Sequence, residues 1–196
     1  MTKKINILLA GVFGGVTLFL WGALFHMVLP LSEVVIKEIP NEEPVLATLR
    51  DTIHEPGFYF IPGMGRSPGM SEEQQQAATR QWEEKYRAGP TGILVYHPEG
   101  REPLAPKELV IQLLSSIAAA LIAAFLLAQA VGGLAGFGAR VLFVALLGLF
   151  ATLVSDVPYW NWYRFPTDYT LAVLADHVIG WGLAGTVLAW NLKPAP

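Results

Sequence analysis

Four long apolar stretches and one polar block divide this chain. The stretches are Ile5–Leu29, Leu109–Val131, Ala139–Val154 and Tyr169–Leu192. Crossing a hydrocarbon core takes about 20 helical residues, so each reads as a membrane span. The third is the shortest and is expected to begin near Gly136 to reach full thickness. Helices satisfy their own backbone groups in lipid, and four of them pack naturally as a bundle. Only Gly132–Gly138 joins the second and third spans, which predicts an antiparallel hairpin there. The expected plan is a first transmembrane helix over 1–31, an insert over 32–107, and three further helices over 108–196 with a short aromatic loop at 155–168.

The insert changes period and composition. In "PNEEPVLATLRDTI", Val45, Leu46, Leu49 and Ile53 share one side of a helix, with Asn41 as the expected N-cap and Pro44 in the first turn. "GFYFIP" and "GILVYHP" are short β-rich runs ended by proline, and they are expected to pair. Between them, Ser71 followed by Gln74 is a capping-box signal, and the helix it opens should stop at Gly89-Pro90. Trp82 and Tyr86 stand four apart on that helix, a spacing that packs two rings together or presents a docking face. "PGMGRSPGM" reads as a Gly/Pro loop, mobile or held by a partner. The whole is a small α+β cap with few large apolar residues for its length, expected to lean on the bundle or on a neighbouring protein.

Composition sharpens this reading. The 196 residues are 53% hydrophobic and 15% charged, against about 25% charged in soluble domains. Most of the charge falls between Glu33 and Glu108. A net charge of -3 without a long basic run argues against nucleic acid as a partner. The absence of cysteine excludes disulfides, thiolate metal sites and cysteine nucleophiles. Lys3 and Lys4 ahead of an apolar run suit a signal peptide, but the run far exceeds the usual ~7–15 residues and no small-x-small cleavage site follows. An uncleaved anchor is expected. Lys3, Lys4, Arg140 and Lys193 all fall on one side if both termini are cytoplasmic, which puts the insert in the periplasm. Tyr159, Trp160, Trp162, Tyr163 and Tyr169 then form an aromatic belt at the opposite interface, with Arg164 as the one exception.

The candidate chemistry is sparse. "WGALFH" at 21–26 and "HVIGWG" at 177–182 each place a histidine near a Trp-Gly pair inside an apolar run. At about 100° per residue, Gly11, Gly15, Gly22 and His26 share one stripe of the first helix. His177, Gly180, Ala184 and Asn191 share a comparable stripe of the fourth. Small-residue stripes mark close helix contact in membranes, so both histidines are expected to face protein and helices one and four to meet. Besides proton or quinone handling, the intramembrane histidines support two readings. One is axial ligation of a haem or a chlorophyll-type pigment by His26, His177 or both. The other is an interhelical polar contact, for which Asp176, adjacent to His177 but about 100° around the helix, is the natural partner of His26. Trp21 points away from the His26 stripe. Asp156 ends the third span and reads as interfacial. His54 with Glu55 and His97 with Glu99 supply N/O metal ligands, though at no zinc spacing, and no nucleophile elbow or other catalytic constellation is present.

"WGALFHMVLPL", "GPTGILVYHPEG" and the long stretch from "GARVLFVALLGLF" through "SDVPYWNWYRFPTDYTLAVLADHVIGWG" resemble a group of uncharacterised bacterial four-span membrane proteins. The resemblance implies a bacterial inner-membrane setting and brings no activity, cofactor or catalytic residue. Together the features point to a non-enzymatic accessory subunit of a larger energy-converting assembly, respiratory or photosynthetic. The alternatives are a haem- or pigment-binding protein using His26 and His177, and a small transporter or sensor with 32–107 as ligand domain. Transporters usually carry internal repeats, and none is visible here.

Overall fold

The computed structural model describes residues 2–29, 35–134 and 136–194, with backbone alone for 2–5. The expected boundary between 31 and 32 and the side chains of Lys3 and Lys4 lie outside the described residues. In chain order the elements are α1 (Thr2–Met27), α2 (Glu42–Thr52), β1 (Gly57–Ile61), α3 (Glu72–Ala88), β2 (Gly92–Tyr96), α4 (Pro106–Ala130), α5 (Phe137–Tyr163) and α6 (Thr167–Asn191), with a 3-10 turn over Val131–Gly133. The protein is mainly helical, and four of its helices, α1, α4, α5 and α6, are long and apolar enough to cross a membrane. The chain divides into two units, the bundle and the insert Glu38–Arg101.

In the bundle, α1 packs against both α4 and α6, and α6 packs against α5, giving the spatial order α4–α1–α6–α5. The expected α4–α5 hairpin is therefore corrected. The two helices are consecutive, but few of their residues meet. Small residues dictate the arrangement. A side chain at Gly11 or Gly15 would run into Leu121 or the Ile117 backbone on α4, and one at Gly14 into Leu188 on α6. Gly185 sits against Val141 and Val144 on α5. With Ala10, Ala120, Ala123, Ala124, Ala184 and Ala189 fully buried around Leu127 and Leu188, the backbones approach closely, which is how helices associate without a hydrophobic driving force in lipid. Phe13, Leu20, Phe125, Leu142 and Phe150 face outward. The glycine stripe of α1 thus packs on α4, not on the fourth span.

The third span is longer than its apolar run. The segment expected as an aromatic loop over 155–168 is helical to Tyr163 and again from Thr167, leaving Arg164–Pro166 as the connection. Pro158 inside α5 removes one helical hydrogen bond. Rings compensate across the turn: Tyr159 packs on Tyr163 and Phe165, and Phe165 on Tyr169, with centroids 5.4–5.6 Å apart. Trp160 Nε1 donates to Thr167 Oγ1 at 3.1 Å, and Arg164 closes α5 in the left-handed conformation at φ 56°.

In the insert, β1 and β2 pair antiparallel with Gly57 opposite Tyr96 and Ile61 opposite Gly92. The capping box of α3 is complete. Gln74 N donates to Ser71 Oγ at 3.3 Å, and Ser71 N to Gln74 Oε1 at 2.9 Å. Gly89 ends this helix at φ 71°. Asn41 is the N-cap residue of α2, as expected, but it stands in the left-handed conformation at φ 52° and makes no side-chain cap bond. Trp82 and Tyr86 lie 5.2 Å apart; Tyr86 stacks on Phe60, and Trp82 Nε1 donates to Pro62 O at 3.0 Å. The pair thus fastens α3 to the hairpin, and Arg66 donates to Thr79 Oγ1 at 2.7 Å to hold the Gly/Pro loop. No residue of Glu38–Arg101 is fully buried.

Candidate functional site

The polar residues of the bundle gather toward the end opposite the chain termini, at two successive helix interfaces. At the α1–α6 interface, Asp176 accepts from Trp21 Nε1 through Oδ1 at 2.7 Å, and its Oδ2 lies 3.4 Å from His26 Nε2. Gly180, one turn along α6, makes this possible. A Cβ there would stand 2.7 Å from Trp21 Cδ1, so Asp176 and Gly180 form one slot that the indole fills. Trp21 does not point away from this contact, as its helical angle alone implies. Its long side chain swings back to α6.

The α5–α6 interface repeats the device. His177 and Trp181, four apart on α6, face α5. His177 Nδ1 lies 2.8 Å from Thr152 Oγ1 and 3.6 Å from Asp156 Oδ2. Trp181 occupies the space of the side chain that Gly148 lacks, where a Cβ would lie 2.6 Å from Trp181 Cδ1. Thr152 Oγ1 also donates to Gly148 O at 3.1 Å. With the hydroxyl proton on that carbonyl, His177 donates through Nδ1–H and Nε2 keeps its lone pair. Asp156 holds a further bond from Ser155 Oγ at 2.8 Å.

The two histidines therefore engage different carboxylates. Asp176 and His177 are adjacent and face different helices, which separates the pair His26–Asp176 from the group around His177. His26 retains 59% of its side-chain exposure while Asp176 retains 15%, so the expectation that both histidines face protein is corrected for the ring of His26. Its Nε2 edge meets Asp176 and the rest is open. The site residues that sequence reasoning missed are Trp21 as a donor, Thr152, and Gln112 and Ser116 on α4. Asp176 with Gly180 and Thr152 with Gly148 are the legible signals, each a polar residue and a glycine four apart on one face.

Trp21, His26, Asp176, Gln112, Ser116 and Trp181 line one cleft of about 600 Å3, within the size range of small-ligand sites. Gln112 Nε2 lies 3.5 Å from Ser116 Oγ, and Ser116 donates to Gln112 O at 2.9 Å. The other candidate centre does not form. The strand register brings the His54–Glu55 and His97–Glu99 segments to the same end of the hairpin, but among the described residues no three His, Asp or Glu side chains come together to hold a metal. At the opposite end of the bundle, Arg140 is 5% exposed and donates to Leu134 O at 3.2 Å and Ala189 O at 3.5 Å. It acts there as a structural tie. No family model, curated protein or solved structure matches the chain.

Proposed function

We propose that this chain is a non-catalytic accessory subunit of a larger assembly in the bacterial inner membrane, with both termini cytoplasmic and the insert periplasmic. The observation that carries the reading is the insert. Sixty-odd residues fold around a hairpin and a capped helix without fully burying any side chain, while Val95 keeps 65% and Met64 49% of their surface. A unit of that size normally buries a core; one that does not is stabilised by what it docks against. The polar groups of the bundle support the same reading, because they are spent on one another across helix interfaces; the hydroxyl beside His177, Thr152 Oγ1, gives its proton to the Gly148 carbonyl. The test is native-state sizing of the tagged chain at its natural expression level in a mild detergent. The expected result is migration far above the 21.4 kDa of the chain, lost on Val95→Glu or Met64→Glu. Migration of the unaltered chain as a monomer or homodimer, in an extract whose respiratory complexes stay intact, overturns it.

A second reading is favoured by one observation, the bond between Thr152 and His177 Nδ1. Orienting a histidine through one nitrogen leaves the other to bind a haem or chlorin metal. A Soret or chlorin band in the purified protein that vanishes in His177→Ala supports it; a colourless protein rules it out.

A further inference from the structure

Among the glycines of α1, Gly22 alone is not explained by helix packing. Glycine inside a helix costs about 1 kcal/mol relative to alanine. Gly11, Gly14 and Gly15 each have a neighbouring helix against them in return, but a Cβ at Gly22 would meet nothing within 4 Å. Gly22 lines the cleft beside His26. Its missing side chain therefore holds space open at the cleft wall, in a helix that otherwise uses glycine to close space.

The cleft has a gradient along the helices. From His26 back to Leu18 on α1 is about 12 Å at the helical rise, and Gln112 to Ala119 on α4 covers a similar length. His26, Gln112 and Asp176 form a polar group toward the end opposite the termini, beside Met27, Leu104 and Leu109; Leu18, Ala119, Gly180 and Trp181 continue the cleft inward. A polar head and an apolar tail match that order. The charges decide the kind of head. Among the described residues no Lys or Arg lines the cleft, and the one carboxylate there, Asp176, already engages Trp21 and His26. A phosphate head would find no cation to pair with and a carboxylate beside it, at a depth where unpaired charge is expensive. A neutral head does find partners. One amide N–H of Gln112 and the Nδ1 of His26 make no hydrogen bond to the described residues. With His26 donating to Asp176 through Nε2–H, its Nδ1 accepts from a hydroxyl, and the Gln112 amide donates to a carbonyl.

We propose that the cleft between α1, α4 and α6 binds a neutral amphiphile with a carbonyl- or hydroxyl-bearing ring, an isoprenoid quinone or quinol by chemical class, with its head between His26 and Gln112. The proposal goes beyond the accessory role and is independent of it, since the cleft is built from this chain alone. The experiment uses the full chain in nanodiscs of phosphatidylethanolamine and phosphatidylglycerol, titrated with decylubiquinone while tryptophan fluorescence is followed. Trp21 and Trp181 line the cleft and report occupancy. Saturable quenching is expected, at least tenfold weaker in Gln112→Leu and abolished in Gly22→Phe, which fills the open wall. Ala119→Phe, filling the opposite wall from α4, gives the same loss through a different helix. Linear, non-saturating quenching in the unaltered protein overturns the proposal, as does saturable binding that survives both filling variants. Displacement of decylubiquinone by an equal concentration of dioctanoyl phosphatidylglycerol also overturns it, by assigning the cleft to phospholipid. A pigment that co-purifies in the cleft and excludes the probe does the same.

Discussion

Asp176 and Gly180 show how one turn of helix joins two spans. The carboxylate takes the indole N–H of Trp21, and the missing Cβ of Gly180 admits the ring that carries it. Removing either half therefore acts on the same contact. In Trp21→Phe the ring stays and the donor goes; polar contacts between membrane helices are worth about 0.6 kcal/mol on average and up to about 1.7, so a loss of about 1 kcal/mol is expected. Gly180→Ala should cost more, because its methyl displaces the indole and forfeits packing as well as the bond. Gly182 is the control. A Cβ there meets nothing within 4 Å, so Gly182→Ala should be neutral or slightly stabilising through helix propensity. Thermal midpoints of the three variants in one detergent test the ranking, and a Gly180→Ala protein as stable as Gly182→Ala contradicts it. The contact also explains why helical angle misplaced Trp21. Periodicity locates the Cβ, whereas the indole nitrogen lies several ångströms beyond it.

At the scale of elements, length and turn chemistry were readable, and packing partners were not. The four spans, the paired strands and the Ser71–Gln74 capping box follow from apolar run length, β-rich alternation and local hydrogen bonding, all properties of short windows of sequence. The end of α5 does not. Its helix continues through Pro158 because Tyr159, Phe165 and Tyr169 clamp it to α6, a tertiary contact that no local pattern announces. The neighbour of each span is equally hidden. The Gly11–Gly15 stripe reads as a close contact, and choosing α4 over α6 depends on the complementary shapes of Leu121 and Ile117. Arg140 shows what such an order needs. Sited in the first turn of α5 and buried, it bonds the carbonyls of Leu134 before its own helix and Ala189 near the end of α6. Charged hydrogen bonds of this kind are worth about 1.5–3 kcal/mol. Arg140→Leu should destabilise the bundle by about that much, and Arg140→Lys should recover only part, since an ammonium lacks the fork that reaches two carbonyls. Full stability of Arg140→Lys in a thermal scan would show that charge alone suffices.

For the whole molecule, the proposed insertion of all four apolar helices makes an even number of crossings, which would return the chain to the side on which it began and put the termini on one face of the membrane and the insert on the other. Which face is which rests on the positive residues. Arg140 and Lys193 join Lys3 and Lys4 at the terminal side of the four-span arrangement, and the bias of Lys and Arg near span ends sets orientation through short loops and not through long translocated segments. On the insert side, Lys37, Arg101 and Lys107 also stand near span ends and, with Arg164, oppose that bias, so the orientation is a matter for measurement. The chain has no cysteine, which makes the matter directly measurable: each introduced thiol is the only one present. Ser67→Cys lies in the exposed loop ahead of α3, and Gly138→Cys at the exposed start of α5. In intact cells, a membrane-impermeant maleimide should label Ser67→Cys fully and Gly138→Cys only after the inner membrane is permeabilised. The reverse pattern places the insert in the cytoplasm. It would also move the open end of the cleft to the cytoplasmic leaflet, because His26 and Gln112 lie at the end opposite the termini whichever way the bundle is inserted.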